Sequence, residues 1–504
     1  MLSNNIDHDL HFLTDEIPEK PLEKFSFVGN IDHWTDHTTT EVLHLSENKK
    51  PVIIALAGPS CGGKGEATQR LTKSLSTKNK KVLNFSTDLF YKGISQMIME
   101  KVLPNYPFIP PADYPIINQQ VREIIKNHPF DQKFSEENIS AIGQFLITKH
   151  NFPIDSMSDL NQNIHREFSR IDFDTPDAIN LDQIDSILTD IKSGQKTNLP
   201  NYNMKFSEPT EDQEIDPTDY DIIIMEGIYA LNEKIANHAD IKSFIEVPNK
   251  AHLLLRRLFR DVVGPNARSS FTPETALMIN LRIVMPAAQK HILPTRKNAG
   301  SICENPHTLP EAVNTSYCEV QDKIKISKNE LPNVWRKIID QKGYQMIDKT
   351  NQTDYYMADD TLASPDSEDY QKYILRIREE KGQIDLVYKG PRFLNTKNKI
   401  IRPAETLVKK EEFGTHYHNA KELLQDFELS GFKTLATIKK KRVTFQKNGV
   451  ILIIDYVDKL GYYIEFITDD EKNIPEINKL KKELELEHHI SVGPYIDQMV
   501  QNQA

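Results

Sequence analysis

The residues best suited to chemistry stand in the stretch LAGPSCGGKGEATQ, Leu56 to Gln69. Glycines at 58 and 63, with a lysine at 64, let the backbone of Gly58, Pro59, Ser60, Cys61, Gly62 and Gly63 wrap a polyanion. Lys64 then supplies charge to the terminal phosphates. An apolar run, PVIIALAG, precedes the loop, and a helix-forming run, EATQRLTKSLSTKN, follows it. That is the strand–loop–helix context a phosphate cradle needs. A hydroxyl residue normally follows the lysine and ligates a divalent cation; here Gly65 and Glu66 follow. A carboxylate in a first helical turn gains about 0.3–1 kcal/mol from the helix dipole. Facing a phosphate at about 6 Å, in an effective dielectric of about 20, it would lose roughly 3 kcal/mol. Glu66 is therefore expected to point away from the phosphates, or to meet them only through a cation.

Two more carboxylates end apolar runs: Asp88 after KKVLNFSTD and Glu226 in YDIIIMEG. With PVIIALAG and IKSFIEVP these read as strands alternating with helices, which predicts a parallel sheet with crossover helices. Ligands bind such sheets at the carboxyl ends of the strands, where Gly58, Asp88 and Glu226 all fall. The stretch from Tyr91 to Phe173 is too long for a plain connection. It reads as a helical insertion at about 93–165, with helices near 116–126 and 136–150. LLLRRLFRDVVGPNARS is an arginine-bearing helix holding Arg257, Arg260 and Arg268.

Beyond a proline-containing polar linker at 303–316, strands dominate the region 317–504, ending in a helix. Their polar faces carry cations on successive strands: Lys323, Arg376 and Arg378, Lys389, Lys440 and Arg442. Carboxylates fall on the first strand (Glu319) and the final hairpin (Asp455, Glu465). A closed antiparallel barrel with that interior would bind a polyanion and leave acids to hold a divalent metal.

Residues 51–302 resemble the uridine kinase and phosphoribulokinase family of P-loop kinases. The motifs that carry the resemblance are STDLFYKG, FDTPDAINLD, LPNYNMK, DIIIMEGIYAL, the arginine helix and VMPAAQKHILPTRKNAG. The resemblance implies that Asp88 activates an acceptor hydroxyl and that Tyr91, Asp174 and Tyr202 lie by the acceptor. Glu226 would orient Mg²⁺ (or Mn²⁺), and Lys64, Arg260 and Arg268 would stabilise the moving phosphoryl group of ATP. Thr175 replaces that family's usual histidine, a departure that bears on uridine as the acceptor.

Residues 317–470 resemble the CYTH, or triphosphate tunnel metalloenzyme, superfamily through Glu319-Val-Gln321-Asp-Lys323, NQTDYYM, LRIR, LVYKGPR, IIRPAETL, IKKKRVTF and LIIDYVDKLGYYIEF. That implies polyphosphate binding by Lys323, Arg376, Arg378, Lys389, Arg402, Lys440 and Arg442. It implies metal binding by Glu319, Glu405, Asp455 and Glu465. Gln321 and Ile467 replace two of that superfamily's glutamates, so cation handling is expected to be weaker than anion binding. The joined pair is similar to plant two-domain triphosphate tunnel proteins.

The fold class expected is thus an α/β P-loop kinase domain followed by an α+β antiparallel β-barrel tunnel domain. The leading expectation is ATP-dependent phosphotransfer to a small-molecule hydroxyl. The alternatives are metal-dependent tri- or pyrophosphate hydrolysis in the tunnel and a weakly active nucleotide or polyphosphate sensor. A net charge of −11 over 504 residues argues against a nucleic-acid partner. The apolar runs are too short to span a membrane. Three cysteines without metal spacing, and no signal-like start, suit a cytoplasmic protein. Residues 1–50 read as a polar extension, disordered or laid on the first domain. His33 and His37 within it are four apart but lack an evident third ligand.

Overall fold

The computed structural model describes residues 25–128, 133–168, 170–204, 206–247, 249–263, 272–305, 318–340, 343–359, 374–389, 393–394 and 400–501. The first domain contains β1 (Phe27–Asn30), β2 (Val52–Ala57), β3 (Val82–Ser86), β4 (Thr197–Asn203), β5 (Glu208–Ile215), β6 (Ile222–Gly227), β7 (Ile241–Glu246) and β8 (Ser301–Glu304). Six of these form a parallel sheet in the order β1-β8-β7-β2-β6-β3, and β4 and β5 form a separate hairpin. All six residues of β2, VIIALA, are buried. A parallel strand covered on both faces needs such a continuous apolar run.

One face of the sheet packs Ile54, Leu56 and Ile224 against Trp34, Leu71 and Leu75; the other packs Ile53, Ile223 and Phe244 against Ile184, Leu188 and Ile191. The residues read as a polar extension therefore contribute to this domain. The helix Ile31–Leu45 buries Ile31, Trp34 and Val42, and β1 pairs in parallel with β8. The sheet begins at Phe27, ahead of the boundary expected at residue 51.

The helices Ile94–Val102, Tyr114–Ile125, Glu136–His150 and Met157–Phe168 occupy the expected insertion and have an apolar core of their own, including Ile98, Val121, Leu146 and Leu160. Buried Glu208 in β5 ties the insertion to the hairpin. It accepts from the Ser95 N–H at 3.1 Å and from the Ser95 hydroxyl at 3.2 Å.

The second domain is built on β9 (Cys318–Ile326), β10 (Gln345–Asp359), β11 (Ile374–Glu380), β12 (Gln383–Lys389), β13 (Phe393–Leu394), β14 (Ile400–Val408), β15 (Phe432–Lys447), β16 (Val450–Val457) and β17 (Gly461–Thr468). Its order is β12-β11-β10-β15-β16-β17-β9-β14-β13, and a further β12–β14 pairing closes the sheet on itself. The described pairings within it are antiparallel. Closure removes open edges and creates an interior. Outside the barrel, the helices Leu331–Asp340 and Ile474–Glu483 contribute to an apolar layer that includes Ile338, Phe445, Phe466 and Leu480.

The outer face of β10 to β12 is covered by the helix Ala420–Leu429 and by helices of the first domain, Lys250–Leu258 and Pro273–Ile279. No helix among the described residues is long and apolar enough to cross a membrane.

Candidate functional site

The phosphate loop joins the end of β2 to the helix Lys64–Ser76, capped by Gly63 at φ 100°. A Cβ on Gly63 would stand 1.9 Å from Asn305 Nδ2, so only glycine fits this approach. Asn305, just beyond β8, donates from the same Nδ2 to the Gly62 carbonyl at 3.2 Å. The Lys64 ammonium folds onto its own loop, 3.1 Å from the carbonyls of both Gly58 and Pro59. Glu66 accepts from Arg70 one turn along, at 3.1 and 2.8 Å, and Arg70 also pairs with Asp32. Its carboxylate is thus directed along the helix flank, although it belongs to the loop's sequence motif. Gly65 has open space where a side chain would begin.

Two arginines of the helix Lys250–Leu258 and its continuation cross the loop. Arg256 donates to the Cys61 carbonyl at 3.4 Å and the Asn305 carbonyl at 3.1 Å; Arg260 donates to the Ser60 hydroxyl at 3.3 Å. Arg257 is buried, donates to Asn280 Oδ1 at 2.5 Å and acts on Asp174 through its charge. Arg256 was absent from the sequence-derived set. The signal was its spacing, since 256 and 260 are four apart and share a helix face. Arg268 lies outside the described residues.

Asp88 is the second residue of a short 3-10 turn, Thr87–Phe90, after β3, its N–H held by Ser86 Oγ at 3.2 Å. Around it gather Tyr91, Asp174, Tyr202 and Glu226, each of which feels its charge. Burial pushes the Tyr91 phenol well above its ordinary value, and Asp88 and Asp174 push it further. Burial also raises the Asp174 and Glu226 carboxyls, with Arg257 opposing the first and Lys64 the second. The rings of Phe173 and Tyr202 each lie 5.8 Å from that of Tyr91, centre to centre. The Tyr229 hydroxyl fixes the Asp174 carbonyl at 2.5 Å. This arrangement can hold an acceptor between aromatic walls, with a carboxylate close to the phosphate loop. Asp88 and Glu226 are two neighbouring carboxylates at strand ends, a donor set that fits a hard divalent cation.

Inside the barrel, cations and anions alternate. Asp354 of β10, wholly buried, accepts from Arg378 at 2.7 and 3.0 Å and from Lys440 at 2.5 Å, with Arg376 at 3.9 Å. Arg442 holds Asp455 through two bonds and reaches Glu465 at 3.6 Å, and Lys323 lies 3.3 Å from Glu465. Tyr495, on the C-terminal helix Tyr495–Gln501, donates to Asp455 at 2.8 Å, and Lys323 sits 3.7 Å over its ring. The sequence reading gave Asp455 and Glu465 to metal. In the structure both also pair with the tunnel's own cations, which are buried and need opposite charge. Among the described residues, no three His, Cys, Asp or Glu gather in a group that could hold a metal ion. The side chains of Glu319, Lys389, Arg402 and Glu405 lie outside the described residues; the backbone of Glu319 and Arg402 is paired between β9 and β14. Asp354 was missed as the centre of the charge cluster, although NQTDYYM had been singled out.

Comparison with known proteins bears on both halves. The Phosphoribulokinase / Uridine kinase family matches residues 126–308, and the CYTH domain matches residues 319–492. A uridine kinase of Ureaplasma urealyticum is 36% identical over 180 residues, covering 34% of this chain and 82% of that protein. A Methanocaldococcus jannaschii protein whose name includes the words adenylate cyclase is 32% identical over 170 residues, covering 33% of this chain and 83% of that protein. The inorganic pyrophosphatase TTM2 of Arabidopsis thaliana is 23% identical over 368 residues, covering 71% of this chain; this chain spans 50% of TTM2's length.

Proposed function

Because this chain belongs to the phosphoribulokinase and uridine kinase family and carries a CYTH domain behind that region, we propose that it is a phosphotransferase moving the γ-phosphoryl group of ATP to a small-molecule hydroxyl. The observation that carries this reading is the convergence of Asp88, Asp174 and Glu226 with Lys64 at the carboxyl end of the parallel sheet. Asp88 takes the acceptor's proton while the hydroxyl oxygen attacks the γ-phosphorus, the bond from that phosphorus to the β–γ bridging oxygen breaks and ADP leaves. Lys64 leaves the Gly58 and Pro59 carbonyls for the phosphates, Arg256 holds the loop by the Cys61 and Asn305 carbonyls, and Arg260 lies across the loop to meet developing charge. Tyr91, Phe173 and Tyr202 orient the acceptor. Glu226 would hold Mg²⁺, which supplies charge neutralisation at the phosphates when bound and leaves Asp88 free as the base. The helical insertion, anchored by Glu208 to the hairpin that bears Tyr202, sets the shape of the acceptor pocket.

The test is transfer of label from γ-labelled ATP to a panel of nucleosides, sugars and polyols. Asp88→Asn and Lys64→Ala are each expected to abolish it. Transfer at the wild-type rate in Asp88→Asn would sink the assignment.

A second reading is hydrolysis of tri- or pyrophosphate in the tunnel, favoured by the cation-lined interior and by the similarity to TTM2. Phosphate release that survives Lys64→Ala and vanishes in Lys323→Ala would select it.

A further inference from the structure

The helix that carries Arg256 and Arg257, and whose continuation carries Arg260, belongs to the first domain but is seated on the second. Its apolar face, Ala251, Leu254, Leu255 and Leu258, lies in one buried cluster with Met357 of β10, Leu375 and Ile377 of β11, and Leu386 and Tyr388 of β12. Its first turn is held from the second domain. The Lys250 N–H donates to Asp359 Oδ2 at 3.0 Å, and Lys250 Nζ lies 3.3 Å from Oδ1 of the same carboxylate.

The next helix is held still more closely. Glu274 is completely buried, and its carboxylate accepts the backbone N–H groups of Gly414, Thr415, His416 and Tyr417 at 2.9–3.0 Å. Burial alone would raise its pKa, but the four donors outweigh burial and hold the carboxyl below the ordinary range. Asn280, at the end of that helix, orients Arg257. Arg282 pairs with Asp426, which also accepts from the Tyr417 hydroxyl at 2.6 Å.

The strands beneath these helices line the tunnel on their other face. Met357 and Asp359 of β10 face the arginine helix, while Asp354 of the same strand receives Arg378 and Lys440 inside. Leu375 and Ile377 alternate on β11 with Arg376 and Arg378. One two-strand wall therefore stands between the tunnel's cations and the arginines that cross the phosphate loop.

We infer that the tunnel domain is a working part of the phosphate-loop site, Asp359 and the 414–417 loop being positioning groups, so that a polyanion bound in the tunnel tightens nucleotide binding at the loop. A ligand that fixes the Arg376–Arg378 strand from inside also fixes the seat of the arginine helix outside. The second ligand then loses less conformational freedom on binding. Linkage requires the reverse effect to have the same size. This inference rests on the nucleotide-binding reading of the phosphate loop.

Titration of the full chain with fluorescent mant-ADP, with and without saturating tripolyphosphate, tests it. Tripolyphosphate is expected to lower the mant-ADP Kd by about fivefold or more. Calorimetry should show mant-ADP tightening tripolyphosphate binding by the same factor. The gain should vanish in Lys440→Ala, or in Lys323→Ala if the first fails to fold, since both leave the phosphate loop intact. It should shrink in Glu274→Gln, or in Leu254→Ala if that fails to fold, while tripolyphosphate still binds. An unchanged mant-ADP Kd overturns the inference and leaves the nucleotide reading standing. A weakening that persists in Lys440→Ala marks competition at the loop and also overturns it. No mant-ADP binding at all overturns both.

Discussion

Lys440 and Asp354 meet inside the barrel at 2.5 Å, with both side chains buried. Burial alone would raise the Asp354 carboxyl, but Arg378, Lys440 and Arg376 outweigh it and hold the group well below the ordinary range. One buried anion thus holds several cations in place. Burial and the Arg378 charge push the Lys440 ammonium well below its ordinary value against the pull of Asp354, so a polyphosphate that brings further negative charge would favour its charged form.

Replacing Asp354 with Asn leaves these cations buried with too little counter-charge. Breaking a buried ion pair from one side costs about 3–5 kcal/mol. Chemical denaturation of Asp354→Asn should show a loss of that order. Added tripolyphosphate should restore more stability to the variant than it adds to the wild-type chain, because it supplies the missing negative charge. Equal gains in both proteins would mean that the cluster does not face the ligand.

Much of this architecture was legible in the sequence, for reasons that also explain the gaps. PVIIALAG and YDIIIMEG are continuous apolar runs that only doubly covered strands tolerate, and they became β2 and β6. Alternation gave β11, with Leu375 and Ile377 on one face and Arg376 and Arg378 on the other. The short strands β1 and β8 escaped because four residues carry almost no periodicity. Glu274 could not have been found: a glutamate after proline in a first helical turn reads as an ordinary cap, and its partners lie 140 or more residues away. Asn305 gave no signal either, since its role is a close approach to Gly63 that only the tertiary fold creates. The tunnel acids were read one at a time as metal ligands. Their pairing depends on the register of neighbouring strands, which no single strand displays.

The arginine helix carries a buried pH sensor. Burial first, and then Arg256, lower His252 from 6.5 to about 4. Between these values the unfolded chain binds a proton that the folded chain refuses, so stability rises with pH across that window. Stability should be full above about 6.5 and should fall by up to about 3 kcal/mol by pH 4, at 1.36 kcal/mol per unit. His252→Gln should flatten this part of the stability profile, measured by urea denaturation at each pH. An unaltered slope would assign the acid sensitivity to other groups.

Glu66 faces Arg70 along the helix flank, so its charge should matter little to a bound nucleotide. Glu66→Thr should change the Kd for ATP by less than about twofold, and should lower stability only by the few tenths of a kcal/mol typical of an exposed i,i+4 pair. A tenfold tightening by calorimetry would show that the carboxylate turns inward when phosphate binds.

Arg256 separates loop shape from phosphate charge. Its guanidinium donates to two backbone carbonyls, of Cys61 in the loop and Asn305 beneath it, and so ties the loop to the end of β8. Hydrogen bonds made by a charged group contribute about 1.5–3 kcal/mol each, and those to a partly exposed loop fall toward the lower limit. Arg256→Ala should therefore weaken nucleotide binding by about tenfold or more, and the loss should appear with ADP as well as ATP, since the shape of the loop serves both. Arg260, paired with Asp261 at 2.8 Å, touches the loop through the Ser60 hydroxyl and not through its backbone, so its charge rather than the loop's shape is what it offers the moving phosphoryl group. Arg260→Ala should lower kcat more than it raises the KM for ATP. Paired measurements of Kd for ADP and of kcat and KM for ATP on the two variants decide the matter. If Arg256→Ala affects only kcat and Arg260→Ala only KM, the roles given to the two arginines are reversed.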